Sequence, residues 1–324
     1  MTNREQKIRQ AALAKLPEGP ARDTGIAAGE RAAASVLAQR AGDANLGAER
    51  YRPHTSPGTY VPTAAVAVPQ WSQRQPWLLA RADQFRPGPP PALASAAWAR
   101  DYDEVKTLGA RASTQRSAEQ TAVARFWEYS LPPIYHGVLR SVALAPGRSV
   151  ERNAQFFATA SQAMDDALIA VMDAKYHYGF WRPATAIRNG DLDGNDATVA
   201  DAAWVSLIDA PLHPEYPSAH SILAATLGTL IVAEVGRGPL PELGTSSPTA
   251  QGATRKWTSV DAFVQEVGDA RVWSGIHYRS ATDVGAAMGR QVGALAAGQM
   301  AQATPPAQAT AGLAPAAAGG RSMP

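Results

Sequence analysis

From Ser218 to Val235 the chain reads Ser-Ala-His-Ser-Ile-Leu-Ala-Ala-Thr-Leu-Gly-Thr-Leu-Ile-Val-Ala-Glu-Val, apolar on every side of a 3.6-residue turn. A helix of that kind offers water no face, so the rest of the chain must supply a layer that encloses it. Hydrophobic residues are 45% of the 324, enough for a substantial core. The other periodic segments are helical in spacing. Two helices are expected within residues 1–42, the second with Ile26, Ala33 and Leu37 on one side, and others at 93–109, 133–145, 150–177, about 258–272 and 282–300. One more follows Ser117, which with Gln120 makes a capping box before Val123, Phe126 and Trp127. Strand signals are few. The expected fold is all-α, a helical bundle closed around residues 218–235.

Residues 1–300 read as a single helical domain. Within it, residues 50–91 are rich in proline and aromatics, resist helix formation and are expected to wrap the surface as an extended arm anchored by Trp71, Trp77 and Phe85. Residues 301–324 are alanine, proline and glycine with little to bury, and are expected to be disordered. A net charge of +2 with scattered basic residues argues against nucleic acid as a partner. No run of eighteen apolar residues free of charge occurs, so no membrane span is expected. The absence of cysteine excludes disulfides, thiolate metal sites and a cysteine nucleophile. Asp191, Asp193, Asn195 and Asp196 lack the order and terminal glutamate of a calcium loop and read as a turn.

The chemistry lies in three separated segments. Lys175 continues an apolar stripe of Phe157, Ser161, Met164, Leu168 and Val171, followed by Arg182 between Trp181 and Pro183. Taken alone, the lysine could snorkel and the arginine stack at the surface. Ser218 stands where an N-cap belongs, with His220 in the first turn of the apolar helix. Its plain reading is capping, but protonated histidine is disfavoured at a helix N-terminus, which gives weight to a functional one. The stripe Val260, Phe263, Val264 and Val267 runs into Arg271, and the chain bends at Gly275 to present His277. Gly285, Gly289 and Gly293 then recur every four residues, a spacing that brings one helix backbone close to another. Such packing would draw His277 toward the apolar helix. Three cations, two imidazoles and a helix N-terminus closing on one point would hold a tetrahedral oxyanion.

The motifs Lys175, six residues, Arg182-Pro183; then Pro217-Ser218-Ala219-His220; then Arg271, five residues, His277 resemble a known three-part signature. It belongs to the superfamily of vanadium-dependent haloperoxidases, bacterial acid phosphatases and type 2 phosphatidic acid phosphatases. The surrounding words look most like its soluble bacterial haloperoxidase-like branch. Ala219 replaces the usual glycine, Ala270 the usual serine, and Asp283 lies later than the phosphatase pattern places its acid. The resemblance implies a helical bundle of the haloperoxidase/acid phosphatase type. It implies that Lys175, Arg182, Ser218, Ala219 and Arg271 bind vanadate or phosphate, that His277 ligates vanadium, and that His220 is the acid–base group. It further implies a halide or substrate pocket at His213 and Trp181, with Asp283 as the residue that orients His277. Met172 stands where haloperoxidases commonly have tryptophan.

The function so implied is oxidation of halide by hydrogen peroxide at a histidine-bound vanadate. Two alternatives stand beside it: a phosphatase that hydrolyses phosphate monoesters through a phosphohistidine, and a truncated oxyanion-binding homologue without catalysis. The partners expected are small molecules, with a homo-oligomer as a further expectation. Relatives are secreted or periplasmic and usually carry a signal peptide and further N-terminal helices. Neither is evident in this sequence, which is the expectation of a shortened N-terminus.

Overall fold

A computed structural model describes residues 2–44, 46–129 and 132–303. The two N-terminal helices are α1 (Asn3–Leu13) and α2 (Pro20–Gln39). Neither buries a residue, and Leu37 stands 72% exposed. From Leu46 to Ser95 the only helical turn among the described residues is a short one at Trp71–Gln73. Five further helices follow: α3 (Ala96–Gly109), α4 (Ala118–Phe126), α5 (Pro132–Ala143), α6 (Val150–Tyr178) and α7 (Pro183–Arg188). The reciprocal capping box opens α4: Gln120 N donates to Ser117 Oγ at 3.1 Å, and Ser117 N to Gln120 Oε1 at 2.8 Å.

The apolar run is α8 (Ala219–Val235), capped by Ser218 and enclosed by α6, α9 (Val260–Trp273) and α10 (Arg279–Ala303). Residues 304–324, most of the tail expected to be disordered, lie outside the described residues. Between α8 and α9 an antiparallel hairpin, β1 (Leu243–Ser246) with β2 (Thr254–Trp257), pairs Leu243 with Trp257. The sequence reading missed these strands because four residues are too few to carry an alternating pattern.

Carboxylates on α6 pin the proline-rich segment along that helix. Asp166 accepts from the backbone N–H groups of Trp77, Leu78 and Leu79 at 2.7 to 2.9 Å. Asp173 takes Arg86 in a bidentate pair at 2.7 and 2.9 Å. Two aromatic clusters flank α6. Trp127, Tyr135, Phe156 and Phe263 lie in the main core, while Trp98, Tyr102, Trp181 and Tyr278 form a second cluster.

The glycine row of α10 lies against the backbone of α8. A β-carbon at Gly289 would stand 2.3 Å from the carbonyl oxygen of Ile222, and one at Gly285 would stand 2.6 Å from that of Ser218. Both contacts are with helix backbone, which cannot rotate away. Gly289→Ala is therefore expected to destabilise the fold by about 2 to 3 kcal/mol, measured by urea unfolding. An unchanged midpoint would mean that the two helices sit farther apart.

Candidate active site

Gly179 ends α6 in the left-handed region, with φ +56°. Lys175 therefore stands one turn from the helix end, on the inward stripe, and is fully buried rather than snorkelling. Its Nζ donates to the carbonyl oxygens of Glu215 at 2.7 Å and Pro214 at 3.1 Å. Arg182 caps α7 and is also buried. Its Nε donates to the His213 carbonyl at 3.0 Å, and one Nη to the Ile276 carbonyl at 2.8 Å. The same Nη lies 3.3 Å from His277 Nε2, and the other lies 3.0 Å from His213 Nδ1. One guanidinium thus ties the segment before α8 to the segment after α9.

Arg271, at the inner end of α9, gives one Nη–H to the carbonyl of Trp127, the C-terminal cap of α4. Past it, Gly275 turns the chain at φ +78°, where a β-carbon would stand 2.4 Å from the carbonyl oxygen of Gly109. That bend delivers His277. The imidazole is buried, and its Nδ1 lies 2.7 Å from Glu215 Oε1, which also accepts from Tyr278 N at 3.0 Å. A carboxylate on Nδ1 fixes that proton and leaves Nε2 unprotonated, its lone pair facing the Arg182 guanidinium at 3.3 Å.

Ser218 caps α8, its Oγ accepting from Ser221 N at 3.3 Å and Ser221 Oγ at 3.0 Å. Its own hydroxyl proton is thereby left to donate. The amides of Ala219 and His220 begin the helix and have no preceding turn to accept them. The segment is drawn in by Ser218 N, which donates to the Ala281 carbonyl of α10 at 2.9 Å. His220 is 8% exposed and interacts with the carbonyl of Trp127; its Nε2 is buried without a hydrogen-bond partner among the described residues. Arg271 Nε and Glu215 Oε2 are likewise unpartnered there.

The electrostatics follow from burial. Desolvation, reinforced by Arg182, holds Lys175 well below its ordinary value, although Glu215 opposes it. Desolvation lowers Arg182 and Arg271 to about 10. His213, His220 and His277 are all pushed well below the ordinary imidazole value, first by burial and then by the surrounding cations. Burial raises Glu215 to about 7 against the pull of Arg182 and Lys175. Lys175 and Arg182 therefore face one buried carboxylate, Glu215, while Arg271 faces the half-buried Glu128, a charge arrangement that an anion would relieve.

Lys175, Arg182, Ser218, Ala219, His220, Arg271 and His277 are gathered at one place, and His213 joins them through Arg182. Two expectations fail. Asp283 does not orient His277: it is exposed on the second turn of α10, beside a cavity of about 310 Å³ that it shares with Arg279 and Arg290. Glu215 occupies the orienting position. The sequence carried that carboxylate between Pro214 and Pro217, directly before the N-cap, where its rigid setting was the available signal. Trp181 belongs to the second aromatic cluster, stacked on Trp98 at 5.8 Å between centroids, and borders a separate cavity with Thr55, Val61 and Leu192. The Asp191–Asp196 loop is a structural turn, with Asp193 accepting from Trp98 Nε1 at 2.7 Å and from Thr198 Oγ1 at 2.8 Å.

A family model described as the second helical-bundle domain of VCPO, vanadium chloroperoxidase, matches residues 155–304. Vanadium chloroperoxidase of Curvularia inaequalis is 26% identical over 212 residues, which is 55% of this chain and 34% of that protein. A solved bacterial vanadium-dependent iodoperoxidase has a TM-score of 0.65 at 27% identity, covering 76% of this chain and 62% of its own. An apo-type bacterial vanadium-dependent chloroperoxidase has the same TM-score, 0.65, at 18% identity, covering 79% and 66%. The chain thus spans 34% of the curated relative's length and 62% of the iodoperoxidase's.

Proposed function

We propose that this chain, which belongs to the vanadium haloperoxidase family through the helical-bundle domain at residues 155–304, is a vanadate-dependent enzyme that oxidises halide with hydrogen peroxide. The observation that carries this reading is the buried trio Lys175, Arg182 and Arg271, with Glu215 as the buried carboxylate that faces Lys175 and Arg182. The residues fit a tetrahedral oxyanion. Arg271 Nε and His220 Nε2 are buried polar atoms without partners among the described residues, and Ser218 keeps a hydroxyl proton to give.

In this reading Lys175, Arg182 and Arg271 neutralise the oxyanion, and Ser218 Oγ with the Ala219 amide donates to it at the positive end of α8. His277 holds it through Nε2, while Glu215 keeps the Nδ1 proton in place. Vanadate bound there would supply the electrophilic centre that activates peroxide toward halide. His220, neutral in its buried setting, takes and returns a proton at Nε2. His213 would line the halide approach through its contact with Arg182.

Purified protein incubated with orthovanadate, hydrogen peroxide and iodide or bromide is expected to halogenate a dye in a vanadate-dependent manner. It is expected to turn over p-nitrophenyl phosphate far more slowly. Vanadate-inhibited phosphatase turnover without halogenation would instead assign the site to phosphate ester hydrolysis. Anion binding with neither activity would leave a binding protein.

A further inference from the structure

Beside the cations lies one buried polar group for which the roles above give no use. Tyr135, on α5, is fully buried, and its hydroxyl has no hydrogen-bond partner among the described residues. Its ring is tilted against Trp127 at 6.0 Å between centroids, and the Trp127 carbonyl is the acceptor of Arg271. A buried hydroxyl without a partner is destabilising, and phenylalanine would fill the same space without that penalty. Burial raises the phenol above its ordinary value, so it remains a neutral donor, and Arg271 is the charge acting on it. In return, Tyr135 is the first charge effect on Arg271 after desolvation. The Nε of Arg271 and Nε2 of His220 are also without partners among the described residues. A phenol there has a proton of its own to give.

We propose that Tyr135 is an anion-binding residue: its O–H donates to an oxygen of the oxyanion bound beside Arg271. This rests on the reading above that an oxyanion binds among Lys175, Arg182 and Arg271. Isothermal titration of the intact protein with inorganic phosphate, and separately with orthovanadate, tests it. Tyr135→Phe is expected to bind each anion about ten-fold more weakly than wild type, the size of one charge-assisted hydrogen bond. The anion-free Y135F protein should melt no lower than wild type, while its gain in melting temperature with phosphate should be smaller. In an Arg271→Gln background, adding Y135F should change affinity little, because the oxyanion is then no longer held on the side that the phenol faces. Equal affinity in wild type and Y135F would overturn the proposal, as would an undiminished Y135F loss in the Arg271→Gln background. Wild-type protein that bound neither anion would overturn the site reading itself, and this inference with it.

Discussion

Replacing His277 with alanine is expected to lower vanadate-dependent halide oxidation by about a thousand-fold or more, as loss of a reacting group does. The same variant should keep its phosphate affinity within about ten-fold, because one imidazole is a single contact among several cationic ones. The split follows from the geometry. Lys175, Arg182 and Arg271 reach the site from α6, the N-cap of α7 and α9, and Arg182, which contacts the His277 ring, is also held by the His213 and Ile276 carbonyls. Steady-state assays beside calorimetry would show it. Activity and phosphate binding falling together would mean that His277 is a structural support and not the reacting ligand.

The second large effect concerns Glu215. Glu215→Gln keeps an oxygen able to accept from His277 Nδ1 and Tyr278 N, so it removes charge and leaves shape. Two opposite changes are expected. Turnover should fall about ten- to a hundred-fold, because the Nδ1 proton loses its anionic partner and Nε2 becomes a poorer ligand. Anion affinity should rise about ten-fold at pH 8, because a buried negative charge facing Lys175 and Arg182 is gone.

The pH sign follows from the groups that face Glu215. Burial raises it to about 7, Arg182 and Lys175 pull it down, and Asp101 of α3 pushes it up. Below about pH 7 the wild-type carboxyl is protonated and matches the amide. The affinity gap should therefore close in acid and open as pH rises. Sulfate, whose charge is constant through this range, is the suitable probe for calorimetry between pH 5.5 and 8.5. A gap independent of pH, or weaker binding by E215Q, would remove Glu215 from the anion's charge balance.

Much of this site was legible because its residues break strong patterns. Lys175 is a cation on an apolar stripe, and Ser218 opens a helix apolar all round, so each marks a place where burial needs a reason. The glycine row foretold close packing of α10 on α8, and the row meets the carbonyls of Ser218, Ile222 and Thr226. What stayed hidden were long-range partnerships. Glu215 meets His277 across sixty-two residues, and the Trp127 carbonyl meets Arg271 across one hundred and forty-four. No local spacing encodes such contacts. Asp283 is the acid that the resemblance offers as an orienter because it follows His277 in the chain, yet α10 carries it outward to solvent. Trp181 sits next to Arg182 in sequence, but its indole packs onto Trp98 in the second cluster. Tyr135 carried no sequence signal beyond that of an aromatic core residue, and its unpartnered hydroxyl emerges only from three-dimensional burial.

The most direct test is a crystal structure of the wild-type protein soaked with orthovanadate. Density for a tetrahedral or trigonal-bipyramidal oxyanion is expected at bonding distance from His277 Nε2, ringed by Lys175, Arg182, Arg271 and Ser218, with His220 across from His277. Vanadate bound elsewhere, or no density among these side chains at a saturating concentration, would contradict the oxyanion site on which the proposed function stands.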